Sequence, residues 1–164
     1  MRRLSVAEMD FPTLREREDW ERAEPVPDIA AAQAALAWGE HWVIVFPLWL
    51  GTLPAHLKGF CEQVFRPGFG VAREGLVSAG EKKSGVFGRP LAGRSARLVV
   101  TMGMPGFVYR LWFGAHGVRS FEAGVLGLLG VKPVRHSFVG LVEGKAEKRA
   151  AWLEEMGKLG GRAA

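Results

Sequence analysis

The chain has 164 residues, 48% of them apolar, and a formal net charge of +5, which is enough for one domain with a sizeable core and too little for two. No apolar run approaches the roughly 20 residues of a membrane span, and the basic start Met1-Arg2-Arg3 has no apolar signal-peptide core behind it. The single cysteine, Cys61, excludes an internal disulfide and fits a reducing cytoplasm.

The positive charge does not point to nucleic acid. A nucleic-acid surface concentrates Lys and Arg in one patch with interleaved aromatics, whereas here they are scattered. The densest group, Lys82-Lys83 with Arg89 and Arg94, lies in a Gly-rich loop. An anionic small molecule is the better use of such a field.

In chain order, Arg2 to Val6 reads as a short strand, followed by the connector Phe11 to Leu14 and a charged, solvated run from Arg15 to Arg22. After the spacer Pro25-Val26-Pro27, Asp28 is placed to cap a helix from Ile29 to about Trp38, which Gly39 can end. Trp42 to Leu48 is an unbroken apolar run, the pattern of a strand buried on both faces of a parallel sheet. The run breaks at Gly51-Thr52 and restarts with Pro54 as a helix, whose apolar face is Leu57, Phe60, Cys61, Val64 and Phe65. Cys61 reads as a core residue of that face.

Pro67 to Pro90 is Gly-rich and charged, long for a structureless connection. Ala96 to Met102 is a second buried strand, and it ends in Gly103-Met104-Pro105-Gly106. A segment dense in aromatics follows (Phe107, Tyr109, Trp112, Phe113), then a helix face of Val118, Phe121, Val125, Leu128 and Leu129, closed by Gly130. Val134 to Val142 is a third strand, nearer an edge, and Trp152, Leu153, Met156 and Leu159 mark a final amphipathic helix. Strands alternating with helices predict an α/β fold, a parallel sheet with right-handed crossovers and helices on both faces. With no internal repeat and no linker, residues 1–164 read as a single domain.

The motifs exclude several chemistries. The four histidines, His41, His56, His116 and His136, lack metal-ligand spacing. No nucleophile elbow, dinucleotide fingerprint or P-loop occurs. Two loops remain at strand carboxyl ends, where open α/β sheets bind ligands: Pro47 to Leu53 and Thr101 to Tyr109. Both are aromatic, apolar and Gly-bearing. Trp49 can offer a face or edge to a ring system, and backbone near Gly51, Gly103 and Gly106 can approach ring oxygens and nitrogens closely. Core packing is the competing reading of the same aromatics.

Phe46-Pro47-Leu48-Trp49, Pro54-Ala55, Leu57-Lys58-Gly59-Phe60, Val64-Phe65 and Gly68-Phe69 closely resemble the signature of the flavodoxin-like NAD(P)H:quinone oxidoreductases, a family that includes modulator-of-drug-activity and potassium-efflux ancillary proteins. The resemblance continues through Ala96 to Met102, Tyr109 and Gly114-Ala115-His116. It implies a flavodoxin-like three-layer sandwich, non-covalent FMN or FAD at the strand ends, and usually a homodimer with the site at the subunit interface. It also implies two-electron reduction of quinones by NAD(P)H in a ping-pong cycle. On the family pattern, Pro47, Leu48, Trp49 and Leu50 line the flavin ring. Thr101, Met102, Gly103 and Met104 hold its polar edge, while Tyr109 and His116 stabilise charge on the reduced flavin.

Two departures stand out. The family's Thr-Thr-Gly-Gly loop is Thr101-Met102-Gly103-Met104-Pro105 here, and Pro105 has no amide to donate. The family's first strand, its phosphate-gripping loop and the following helix have no counterpart before Met1, a difference of roughly 30 to 40 residues. Absence of that central strand should expose a neighbouring strand edge. An alternative role follows from the ancillary members: a non-enzymatic regulatory subunit of a membrane transporter such as a potassium-efflux system.

Overall fold

The architecture follows from a computed structural model that describes residues 1–21, 24–70 and 89–162. Three parallel strands form one sheet in the order β1 (His41–Pro47), β2 (Ser95–Thr101), β3 (Val134–Val139). The register is continuous: Trp42 lies beside Ala96 and Val134, Ile44 beside Leu98 and His136, and Phe46 beside Val100 and Phe138. Strand side chains alternate between faces, so these residues form one face of the sheet. Val43, Val45, Arg97, Val99, Arg135 and Ser137 belong to the other.

The helices are α1 (Arg17–Glu21), α2 (Pro27–Trp38), α3 (Ala55–Val64), α4 (Gly106–Leu111), α5 (His116–Phe121), α6 (Gly127–Leu129) and α7 (Ala146–Gly161). A π-helical segment, Glu122–Leu126, joins α5 to α6. The Trp42 ring stacks on Phe65 at the end of α3, with centroids 6.2 Å apart, and Phe46 meets Phe121 of α5 edge-on at 6.4 Å. Trp42 also donates its indole N–H to the Leu36 and Gly39 carbonyls, which fixes the end of α2 against the strand. On α3, the predicted face is the buried one: Phe60, Cys61 and Val64 are in the core, with Leu57 and Phe65 packed against it. The helix face after Ala115 is also largely as expected, with Val118, Phe121 and Leu129 buried; Leu128 is exposed.

Four local expectations are corrected. Arg2 to Val6 forms no strand; the only regular structure there is a 3₁₀ turn at Val6–Glu8, because no strand of the sheet pairs with that segment. Asp28 does not cap its own helix: α2 starts at Pro27, and the Asp28 carboxylate instead accepts the Asp10 amide at 3.0 Å. The strand at β1 is not buried on both faces: Val43 and Val45 are 58% and 63% exposed, since among the described residues little packs over their face of this strand, which pairs with β2 alone. The third strand stops at Val139 rather than Val142, where Gly140 brings the chain against the 104–106 loop. Lys82, Lys83 and most of the Pro67 to Pro90 stretch lie outside the described residues.

Candidate functional site

β1 and β2 end side by side. Pro47 lies opposite Thr101, and the Leu48 amide still donates to the Thr101 carbonyl at 2.8 Å, so the two following loops leave the sheet together. The first closes at once into a tight turn, in which Trp49 and Thr52 exchange backbone hydrogen bonds of 3.0 and 3.1 Å. Its two central residues both have positive φ, Leu50 at 49° and Gly51 at 82°. A glycine adopts that geometry freely, whereas a leucine is strained by its Cβ. Leu50 is also fully exposed, so no burial compensates. Replacing it by asparagine, which tolerates the left-handed region, is expected to stabilise the fold by about 1 kcal/mol. In a thermal melt this is a rise in Tm of about 2–4 °C.

The second loop is anchored from beneath. The Met102 amide donates to the Val139 carbonyl at 2.9 Å, and Val142 and Leu141 return amides to the Met102 and Met104 carbonyls at 3.3 Å each. Gly140 permits this contact, since a Cβ there would lie 2.4 Å from the Gly106 nitrogen.

Two contacts join the loops to the helices beyond them. Tyr109 of α4, almost wholly buried, donates its hydroxyl to the Gly51 carbonyl at 2.9 Å. Burial pushes its pKa up, an effect partly offset by a hydrogen bond from the Val118 backbone. Gly117 of α5 approaches the same carbonyl: a Cβ on it would lie 2.1 Å from the Gly51 oxygen and 2.9 Å from the Thr52 Cα. The turn is therefore clamped between a phenol and a bare glycine. Tyr109→Phe, which leaves the Gly51 carbonyl without its partner, is expected to cost about 1–3 kcal/mol in urea unfolding.

These elements enclose a cleft of about 340 Å³ lined by Leu48, Leu50, Gly51, Met104, Tyr109, Phe113, His116 and Gly117. Five of the ten residues singled out in the sequence line it: Leu48, Leu50, Met104, Tyr109 and His116. The other five do not. Pro47 and Thr101 end the strands, Met102 is buried in the core below, and Gly103 and Trp49 are exposed beside the loops. Phe113 and Gly117 were not assigned to the site from sequence; for Gly117 no linear signal exists, because its need for space comes from a turn 66 positions earlier.

Chemically, the cleft offers apolar walls and unused donors. Among the described residues, the amides of Leu50, Gly51, Gly103 and Met104 donate to no protein group. His116 is exposed at the rim. No group of His, Cys, Asp or Glu suited to a metal ion occurs among the described residues. Nor is any described helix long and apolar enough to cross a membrane.

A family model described as a flavodoxin-like fold matches residues 1–159. The chain belongs to this family. One curated relative matches over part of the chain: the chain is 40% identical over 78 residues to the ribosyldihydronicotinamide dehydrogenase-like protein traD of Penicillium crustosum, covering 46% of this chain and 28% of that protein. The flavodoxin-like chain thus spans well under half the length of that relative. Among solved structures, a putative quinone reductase from Klebsiella pneumoniae superposes with a TM-score of 0.68 at 20% identity, covering 94% of this chain and 68% of the other. An FMN-dependent NADH-azoreductase from Bacillus anthracis, solved in complex with FMN, superposes at 0.66 with 13% identity, covering 96% and 78%. At such identities the superpositions establish the shared fold, whose strand-end loops in this chain form the cleft described above.

Proposed function

We propose that this flavodoxin-like chain is a flavin-dependent oxidoreductase that uses NAD(P)H to reduce quinones or related acceptors. The observation that carries the reading is the cleft at the carboxyl ends of β1 and β2, with apolar walls and unpartnered amides on both loops. A flat heteroaromatic ring needs both, apolar contact for its faces and donors for its carbonyl oxygens and ring nitrogens. FMN or FAD fits that description, and a bound flavin supplies the two-electron chemistry between nicotinamide and acceptor.

In this reading Leu48, Leu50, Met104 and Phe113 hold the ring and exclude water. The amides of Gly103 and Met104 donate to its polar edge, with Thr101 and Met102 positioning them, and Pro47 and Trp49 complete the neighbourhood of the turn. His116 is placed at the rim to share a proton or positive charge with that edge. Tyr109 stabilises charge only by exchanging its bond to the Gly51 carbonyl.

Around the cleft, Trp49, Leu50, Phe107, Leu111, Trp112 and Phe113 are all more than half exposed. That much apolar surface beside a site favours a covering partner, and we assign it to a homodimer that closes the cleft in a cytoplasmic protein. A transporter subunit docked through the same surface is the alternative.

The test is reconstitution with FMN. The expected result is a yellow complex whose visible flavin absorption is bleached by NADH or NADPH and restored by a quinone. His116→Ala should lower the reoxidation rate with flavin still bound. A colourless protein that takes up no flavin, yet is captured by a membrane transporter, would transfer the assignment to the regulatory reading.

A further inference from the structure

His116 reaches the cleft from the first residue of α5, and no hydrogen bond holds it there. Among the described residues its imidazole has no polar partner. An exposed imidazole without a hydrogen bond is free to sample several staggered rotamers, so its place must be set by packing.

The packing partner is Gly114, two positions earlier. A Cβ there would lie 2.6 Å from His116 Nε2, and 3.1 Å from both its Cδ2 and its Cε1. The outer end of the ring therefore occupies the space that a side chain at 114 would fill.

The turn before α5 is shaped for this approach. Gly114 and Ala115 both have positive φ, 60° and 50°, which reverses the chain between α4 and α5. Glycine adopts that geometry freely, whereas for Ala115 it costs about 1–2 kcal/mol. Ala115 is almost wholly buried, and its amide donates to the Tyr109 carbonyl at 3.1 Å. Backbone strain of this kind persists where surrounding contacts over-determine it, and it clusters at ligand sites. Here it ties the residue before His116 to Tyr109, so that one turn sets two side chains of the cleft.

We propose that Gly114 is the positioning residue for His116, its missing side chain being the seat that keeps the imidazole at the rim of the cleft. The inference deepens the oxidoreductase reading and rests on it for its catalytic consequence. Two-electron reduction of a quinone to its hydroquinone adds one hydride, drawn from NAD(P)H by way of the flavin, and one proton. An imidazole supplies that proton, or balances the charge until solvent does, only while it stays beside the reacting edge. Gly114 acts solely through the ring.

Nuclear magnetic resonance on the flavin-free protein tests the placement. The expected result is a set of nuclear Overhauser cross-peaks between the Gly114 α-protons and the His116 ring protons. Gly114→Asn carries a Cβ, yet asparagine tolerates the left-handed region, so the fold should survive while the cross-peaks vanish and the ring resonances shift. If circular dichroism shows this variant unfolded, Gly114→Ala, with the smallest side chain, takes its place.

After reconstitution with FMN, the variant should bind flavin about as tightly as the parent. Its reoxidation by a quinone should be about 100-fold slower, as slow as in His116→Ala. The double variant Gly114→Asn/His116→Ala should be no slower than either single one. Absent cross-peaks in the parent, a parental reoxidation rate in Gly114→Asn, or additive losses in the double variant would each overturn the proposal. A parent that takes up no flavin would instead remove the oxidoreductase reading, and the cross-peaks would then decide by themselves whether Gly114 seats the imidazole.

Discussion

Gly117→Ala is expected to cost about 3 kcal/mol of stability, at the upper end for overpacking by one methyl group, and to abolish flavin uptake. The added Cβ would sit 2.1 Å from the Gly51 oxygen, well inside contact distance, and both groups are main-chain atoms of constrained elements. Gly117 is in the first turn of α5, and Gly51 is in a tight turn closed by two backbone hydrogen bonds. Neither can rotate a side chain out of the way, so the turn must move away from the helix. That movement also lengthens the 2.9 Å bond from Tyr109 to the same carbonyl. Both losses fall on the cleft wall formed by Leu50 and Gly51. Urea unfolding reads the first effect and titration with FMN the second. A variant as stable as the parent, binding flavin equally well, would show that this clamp does not shape the site.

The second large effect is alkaline destabilisation through Cys61. Burial among α3, α2 and β1 side chains pushes its thiol from 9.0 up to about 12; Lys58 works against this and Glu62 with it, both to a smaller extent. The folded state therefore holds this proton at a pH where the unfolded chain has released it. Stability must fall as pH rises between those two values, and be insensitive to this group below the lower one. Over the whole interval the loss is about 4 kcal/mol, at about 1.4 kcal/mol per pH unit. Tyr109, also raised by burial, adds a loss of the same sign above its ordinary value of 10.0. Unfolding free energies measured between pH 8 and 11 should decline steeply, and Cys61→Ala should remove most of the slope below pH 10 while lowering stability at pH 8. A flat profile in the parent would mean that the thiol is solvated.

The order of elements was readable because each carries its own period. The apolar, Val-bearing runs at β1 and β2, the spacing of Phe60, Cys61 and Val64, and the closing Gly130 act within a few residues of themselves. The positions of the two candidate loops followed from the same reading, since a strand that ends in Gly and Pro must release the chain there. The family resemblance supplied the expectation of a flavin, which no spacing in the chain encodes.

What failed was local chemistry with non-local partners. Asp28 has the composition of a helix cap, yet it bonds the Asp10 amide 18 positions away. Arg2 to Val6 has the composition of a strand, but a strand exists only when another pairs with it, and none does among the described residues. The bareness of Val43 and Val45 is likewise a property of what packs over the sheet rather than of their sequence, which reads as buried. Within the site, the sequence determined which residue types stand at the ends of the strands. Only the tertiary structure decided that Tyr109 and Gly117 converge on the Gly51 carbonyl, because hydrogen bonds and steric contact depend on distance in space, and the chain places these residues 58 and 66 positions from that turn.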